Sequence, residues 1–289
     1  MRWHEARVWD SPGAAPLSRL LVFGLGYTAQ AVATRLPGWH VVGTTRDGRG
    51  GTLRFDDDAA VHAELAAATH VLCSIPPEDD LDPVLHRYGE RLRGWVGYLS
   101  ATGVYGDTRG AWVDETAPTG TGRRTARAGA DAAWLALGAR VFRLPGIYGP
   151  GRSALERVAA ARAHRVEVPQ VFSRAHVDDI ARGVVAGFDA PACAYNLADD
   201  LPASQNAVVE QAAALLGMPP PPFVPLDSLS PMARGFYAES RRVANGKAKR
   251  VLGWRPLYPT YREGLRAVSA ITSPTPASAP PKAASGVQT

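Results

Sequence analysis

The chain has 289 residues, 46% of them hydrophobic and 20% charged, with a formal net charge of +5. That is enough to bury a sizeable core as one large domain or two small ones. The basic excess lies in scattered arginines, with no like-charge run and no interleaved aromatic strip. This argues against a nucleic-acid partner and for a surface suited to phosphorylated ligands.

Residues 1–18 read as a short N-terminal extension broken by Pro12, Gly13 and Pro16. Arg2, His4, Glu5 and Arg7 are not followed by the apolar stretch of a secretory signal. The apolar run Arg19–Phe23 reads as a buried strand that ends in Gly24-Leu25-Gly26-Tyr27-Thr28-Ala29. In a dinucleotide fold the first glycine makes the tight turn and the second lets backbone approach a pyrophosphate. The third place needs a small residue, here Ala29, so that helix and strand can touch. Gly24, Leu25, Gly26, Tyr27 and Thr28 are therefore the expected pyrophosphate contacts, at the N-terminus of a helix through Ala31, Val32 and Leu36. His40–Thr45 reads as the second strand with Arg46 at its tip. Thr44-Thr45-Arg46 carries no carboxylate to accept from a ribose 2′-hydroxyl, and an Arg there accommodates a 2′-phosphate, so the expected cofactor is NADP, with NAD as the alternative.

Val71–Ile75 is a further strand stopped by Pro76-Pro77, and Val96–Ser100 another. Between them Leu81–Arg93 has helical spacing. Ala128–Leu137 reads as a helix and Arg140–Leu144 as a strand. The β-α-β alternation implies an α/β fold: a Rossmann-type, doubly wound parallel sheet with ligands at the carboxyl ends of its strands. Gly24, Thr45, Ser74, Ser100 and Pro145 all fall at those ends. The expected organisation is a dinucleotide-binding domain over 19–150 and a small C-terminal α/β substrate lobe over 151–271, interleaved with it. In that lobe Ser153–Ala163, Val177–Phe188, Ala207–Leu216, Asn245–Leu252 and Tyr261–Val268 read as helices, and Arg165–Val168 and Ala194–Leu197 as strands. The Pro-, Ala- and Ser-rich 272–289 reads as a disordered tail. Cys73 and Cys193 have neither metal nor disulfide spacing, and no apolar stretch reaches transmembrane length. A cytoplasmic, metal-free monomer or homodimer away from membranes is the expectation.

Several separated segments resemble the extended short-chain dehydrogenase/reductases, which include NAD-dependent epimerases and dehydratases acting on nucleotide sugars. Tyr98-Leu99-Ser100-Ala101-Thr102-Gly103-Val104-Tyr105-Gly106-Asp107 is similar to the family's fifth-strand motif, with Trp112–Glu115 as its acidic loop. Arg143–Gly151 is similar to its sixth-strand motif, and Arg174–Ala181 to the segment that enters its substrate lobe. Tyr195–Leu197 and Leu252–Pro256 also have counterparts, and the resemblance runs from about residue 19 to 270. It implies that Asp56 contacts adenine and that Ser74, Ile75 and Pro76, with Ser100 and Pro145, line the nicotinamide side.

Typical members carry a Ser or Thr, a Tyr that acts as acid/base, and a Lys four residues later. Here those places fall on Ala101, Arg123 and Arg127, and no Tyr occurs between Tyr105 and Tyr148. The chain thus looks like the atypical subgroup without the active-site tyrosine. An arginine does not give up its proton near neutral pH, but it holds phosphate or carboxylate. Arg123 and Arg124 read either as an anion clamp or as a solvated helix start. Ser100 and Thr102 flank the missing hydroxyl; either substitutes for it or bonds local backbone. His176 reads as a replacement acid/base or as a structural residue before a helix, and Tyr105 as a displaced acid or a packed side chain. Asp178 and Asp179 read as helix caps. The implied function is an NAD(P)-dependent oxidoreductase or epimerase-like enzyme acting on a small polar or anionic, or nucleotide-linked, substrate. The alternative is a non-catalytic NADP(H) sensor or regulator.

Overall fold

A computed structural model describes residues 18–122 and 125–272. The expected N-terminal extension, except Ser18, Arg123 and Arg124, and the tail beyond Thr272 lie outside the described residues.

Seven strands form one sheet: β1 (Arg19–Phe23), β2 (His40–Thr45), β3 (Leu53–Arg54), β4 (His70–Cys73), β5 (Trp95–Ala101), β7 (Arg140–Leu144) and β10 (Ala194–Asn196). Their order is β10-β7-β5-β4-β1-β2-β3, and every pairing is parallel. The sequence of β1 shows why both faces are covered. Leu20, Leu21, Val22 and Phe23 are all buried, and alternate residues point to opposite faces. Leu20 and Val22 pack with Ala29 and Val32 of α1 (Tyr27–Ala33) and with Ile180 and Val184 of α6 (Val177–Ala186). Leu21 and Phe23 pack with Val61 and Leu65 of α2 (Asp58–Ala67), Val84 of α3 (Pro83–Tyr88) and Trp134 of α4 (Thr125–Ala136).

Past β7 the chain leaves the sheet. β8 (Gly146–Tyr148) pairs in parallel with β9 (Arg174–His176), outside the main sheet. Between them lies α5 (Ala154–Ala159), started by a capping box in which Ser153 and Glu156 satisfy each other's ends. Leu155 and Val158 of α5 pack with Val208, Val209 and Ala212 of α7 (Gln205–Leu215) and with Leu265 and Val268 of α10 (Tyr261–Thr272), a separate apolar cluster. β6 (Trp112–Val113) pairs with β11 (Arg242–Val243), which fastens the loop after β5 to the late segment between α8 (Pro231–Tyr237) and α9 (Gly246–Val251).

Some expected elements differ. The helix expected over 81–93 is shorter, because Asp82 caps it ahead of Pro83 and the chain tightens into a 3-10 turn at Gly89–Arg91. Arg165–Val168 forms no strand and contributes only an isolated bridge to Phe223. α10 runs through Thr272, into the first residue of the expected tail. The short β3, β6 and β11, together with α2 and α8, have no counterpart in the sequence reading. α2 begins on the last of three consecutive aspartates, and the one before it is the cap: Asp57 accepts from the Ala60 amide at 3.1 Å.

Candidate functional site

A cleft runs along the carboxyl ends of the strands as two joined cavities, of about 630 and 650 Å³, that share Ser74 and Pro76. The first is built on the turn after β1. Gly24 has φ +83°, and a Cβ there would lie 2.8 Å from Ile75, so the position needs glycine on both counts. A Cβ on Gly26 would meet nothing within 4 Å. The cradle is open where backbone would approach a bound group. The Gly24 amide donates to the Thr44 hydroxyl at 3.2 Å and the Leu25 amide to the Thr44 carbonyl at 3.0 Å, which ties this turn to β2. Gly24, Leu25, Gly26, Thr45, Arg46, Ser74, Ile75 and Pro76 all line this cavity. Arg46 is 92% exposed and donates to Glu78 at 3.0 Å, and Arg49 joins it on the rim.

Asp56 does not reach the cavity. Its carboxylate is closed on Arg54, with bonds of 3.0 and 2.9 Å, and Phe55 lines the wall instead. That bidentate bond holds the Asp56 carboxyl below its ordinary range.

The second cavity is lined by Tyr27, Thr28, Ser100, Ala101, Thr102, Arg127 and Pro145. Of the residues expected at the cofactor and reaction sites, these six besides Ala101 are brought together, and Ser74 and Pro76 connect them to the first cavity. Under them lies a buried polar chain. Ser100 donates to Asp131 at 2.7 Å, and Arg143 grips the same carboxylate with bonds of 3.1 and 2.7 Å. Arg143 also donates to the Tyr105 hydroxyl at 2.9 Å, which donates to Asn196 at 2.8 Å. Tyr105 is thus spent inside this chain and does not line the cavity. Burial raises its pKa, against the pull of Arg143. The Ser100 hydroxyl hydrogen is engaged in its bond to Asp131. Thr102 makes no side-chain hydrogen bond among the described residues.

Arg127 donates to the Tyr98 hydroxyl at 3.1 Å from the cavity wall. Tyr27 donates to the Pro150 carbonyl at 3.0 Å, and burial raises its pKa. His176 lies apart from both cavities. Its Nδ1 accepts from the Asp178 amide at 3.2 Å and caps α6, with its ring between Tyr148 and Tyr258. Burial lowers its pKa and favours the neutral ring. Asp178 pairs with Arg35 at 3.1 Å, and Asp179 receives the Leu257 and Tyr258 amides. These two serve structure. The described residues contain no His, Cys, Asp and Glu group arranged to hold a metal ion.

The structure adds lining residues that the sequence reading did not name. Arg152 lies over the Tyr27 ring at 5.7 Å. Phe172 and Phe236 stack at 4.1 Å across the outer wall, and Arg174 and Arg241 complete it. Arg174 and Arg152 stood within or next to quoted motifs, so those motifs were a usable signal. Phe236 sits on α8, which buries no residue and so has no apolar stripe to read.

No family model matches the chain. A curated relative, a 3-diazoavenalumate denitrifying reductase from a Streptomyces species, is 33% identical over 142 residues, or 45% of this chain and 46% of its own length. The chain thus matches about half the length of that relative. Among solved structures, a conserved protein of unknown function from Silicibacter pomeroyi is 41% identical, with TM-score 0.77, over 88% of this chain and 99% of its own. MoeE5 in complex with UDP-glucose and NAD shares the fold at 21% identity, with TM-score 0.69, over 89% and 99% of the two chains. The human epimerase family protein SDR39U1 with NADPH does so at 16% identity, with TM-score 0.67, over 87% and 99%. The chain belongs to the family of the Silicibacter pomeroyi protein, and it shares a Rossmann-type fold with MoeE5 and SDR39U1.

Proposed function

We propose that the protein is an NAD(P)H-dependent reductase that passes hydride to an electrophilic acceptor without a protein acid. The observation that carries this reading is the second cavity's wall. Ala101 stands where the family's orienting hydroxyl would be and Arg127 where its lysine would be. The tyrosine's place, Arg123, cannot exchange a proton near neutral pH. Of the ionisable groups present, the Tyr27 hydroxyl is bonded to Pro150 and Glu239 is paired with Arg241 at 2.9 Å.

The residues fit a dinucleotide. The open space over Gly26 suits a pyrophosphate, Phe55, Ile75 and Pro76 offer apolar wall to an adenine, and Arg46 and Arg49 suit a ribose 2′-phosphate, which favours NADP. Such a cofactor supplies hydride. The chain's part is to orient the acceptor through the Thr102 hydroxyl and to meet developing negative charge with Arg127, while Ser100 is fixed by Asp131 and gives the wall its shape. The reductase among the relatives points the same way, since reduction of an electrophile needs no alcohol proton to be removed.

The test is oxidation of NADPH by conjugated enones and aryl diazonium carboxylates, compared with turnover of nucleotide sugars. Hydride on an enone's β-carbon leaves an enolate that water protonates afterwards, and hydride in place of a diazonium group releases N2, so electrophiles should be reduced with no solvent deuterium isotope effect on hydride transfer. General acid–base catalysis contributes about 10²–10⁴-fold, so alcohol oxidation or epimerisation should be slower by that order. Efficient epimerisation of a nucleotide sugar would overturn the reading.

A further inference from the structure

A third cavity, of about 510 Å³, opens off the second and shares Gly146, Ile147, Arg152, Arg174 and Phe236 with it. Four arginines line it: Arg152, Arg157, Arg162 and Arg174. Its one acidic residue, Glu156, is already consumed by the Gly151 and Ser153 amides and the Ser153 hydroxyl. Arg152, Arg157 and Arg162 have no acidic partner among the described residues.

The crowding is built into the backbone. Ala161 has φ +51°, a conformation unfavourable for a residue with a Cβ. The turn it makes lets the Arg162 and Ala163 amides both donate to the Arg157 carbonyl, at 2.8 and 3.1 Å. Arg162 is thereby held beside Arg157. Arg157 is open to solvent through the chamber mouth, yet desolvation by the surrounding wall, with Arg162 adding to it, pushes its pKa down against Tyr237 and Glu156. Two cations are kept near each other, and among the described residues no carboxylate forms an ion pair with either. The opposite wall is apolar, from Val208, Tyr261 and Leu265.

We propose that this chamber binds an oxyanion, a carboxylate or a phosphate, carried on the substrate's apolar body at the end away from its hydride-accepting carbon. The shared wall at Ile147 and Phe236 lets one elongated molecule reach both cavities. An oxyanion between Arg157 and Arg162 would receive charge-assisted bonds and relieve their repulsion. This assignment rests on the reductase reading for the identity of the other end of the molecule.

The test is thermal melting of the full chain, saturated with NADPH so that added anions do not act at the cofactor's own phosphate contacts. The probes are inorganic phosphate and benzoate, which separate the two sources of oxyanion. At least one should raise the melting temperature of the parent. In R157Q/R162Q its apparent Kd should rise about tenfold or more, as expected for losing charge-assisted bonds, with NADPH affinity unchanged. Both arginines are solvent-exposed, so the glutamines should fold, and melting without probe checks this; R162Q alone serves if the pair does not fold. Equal shifts in parent and variant, or no shift with either probe, would overturn the proposal. If NADPH itself does not bind, the reductase reading falls. The anion result, repeated without cofactor in Arg46→Ala, then decides the chamber by itself.

Discussion

At the end of the cleft under β1 and β2 the wall is largely a backbone turn. Gly24, Leu25 and Gly26 make it, Thr44 ties it down, and its charged residues stand out in solvent, as Arg46 does against Glu78. At the end under β5 and β7 the wall is made of side chains drawn from residue 27 to residue 241, on a floor of buried charge. One end is specified by local chain geometry and the other by long-range packing. Substitutions should therefore fail differently. At the first end they should cost ligand and leave the fold; at the second they should cost the fold as well.

The largest effect should come from Asp131→Ala. Asp131 and Arg143 are 1% and 4% exposed, and removing one partner strands a buried charge, at about 3–5 kcal/mol. Denaturant unfolding measures it. The exposed pair at the other end sets the contrast: Glu78→Ala should change stability by less than about 1 kcal/mol. Similar losses in the two variants would erase the distinction between the ends.

Gly26→Val should leave the melting temperature of the cofactor-free protein alone, because no atom lies within 4 Å of the new Cβ position. It should weaken NADPH binding by about 100-fold or more, roughly 2.7 kcal/mol, by filling the space the pyrophosphate needs. Calorimetry reports it. Retained affinity would mean that the turn after β1 is not the cradle.

How much could be read in advance follows the same division. Gly24, Gly26, Thr45 and Arg46 are legible as lining of one cavity because a strand, a turn and a helix within thirty or so residues bring them together. Ser74, Ser100 and Pro145 were legible as strand ends. Asp56 cannot be told from its neighbours in the sequence, because three consecutive aspartates look alike. The fold separates them: Asp56 goes to Arg54, Asp57 to the α2 cap, and Asp58 to Arg87. Tyr105 and His176 each allow two readings in the sequence, and their contacts, Arg143 and Asn196 for one and Tyr148 and Tyr258 for the other, depend on packing that the sequence does not display. Phe236 was invisible because α8 buries nothing and carries no periodic signal.

Arg46→Ala should be milder than Gly26→Val. Arg46 is almost wholly exposed and must leave Glu78 to meet a phosphate. The expected outcome is about a tenfold loss of NADPH affinity, roughly 1.4 kcal/mol, with NADH affinity unchanged. Titrating both cofactors into both proteins checks it. An equal loss for NADH would move the role of Arg46 away from the 2′-phosphate.

The effect most specific to the second end is in pH dependence. At the first end Asp56 and Asp58 sit below the ordinary carboxylate range because Arg54 and Arg87 bond them, in solvent. At the second end burial dominates. Asp199 is 2% exposed, its carboxyl oxygens make no well-formed hydrogen bond, and burial pushes its pKa up to about 8 although the Arg174 charge and the Leu201 and Arg174 backbone pull it down. Arg174, also buried, is lowered to about 10 and stays a cation at neutral pH. The sign follows from proton counts. Between the unfolded carboxyl's value, about 3.9, and about 8, the folded state holds a proton that the unfolded state has lost. Asp199 therefore favours folding fully below that window, and its contribution fades as pH rises to about 8. Asp199→Asn removes the titration. Its melting temperature relative to the parent should climb between pH 5 and pH 8 by something on the order of 10 °C, since each pH unit inside the window is worth up to about 1.4 kcal/mol and 1 kcal/mol corresponds to roughly 2–4 °C in a chain of this order of size. Asp56→Asn should show the reverse sign, losing ground to the parent as pH rises through the carboxylate range, and by less, because solvent screens its pair. Parallel curves for Asp199→Asn and the parent would show that Arg174 keeps Asp199 ionised after all. The floor of the second end would then be a second buried ion pair, like Arg143 and Asp131.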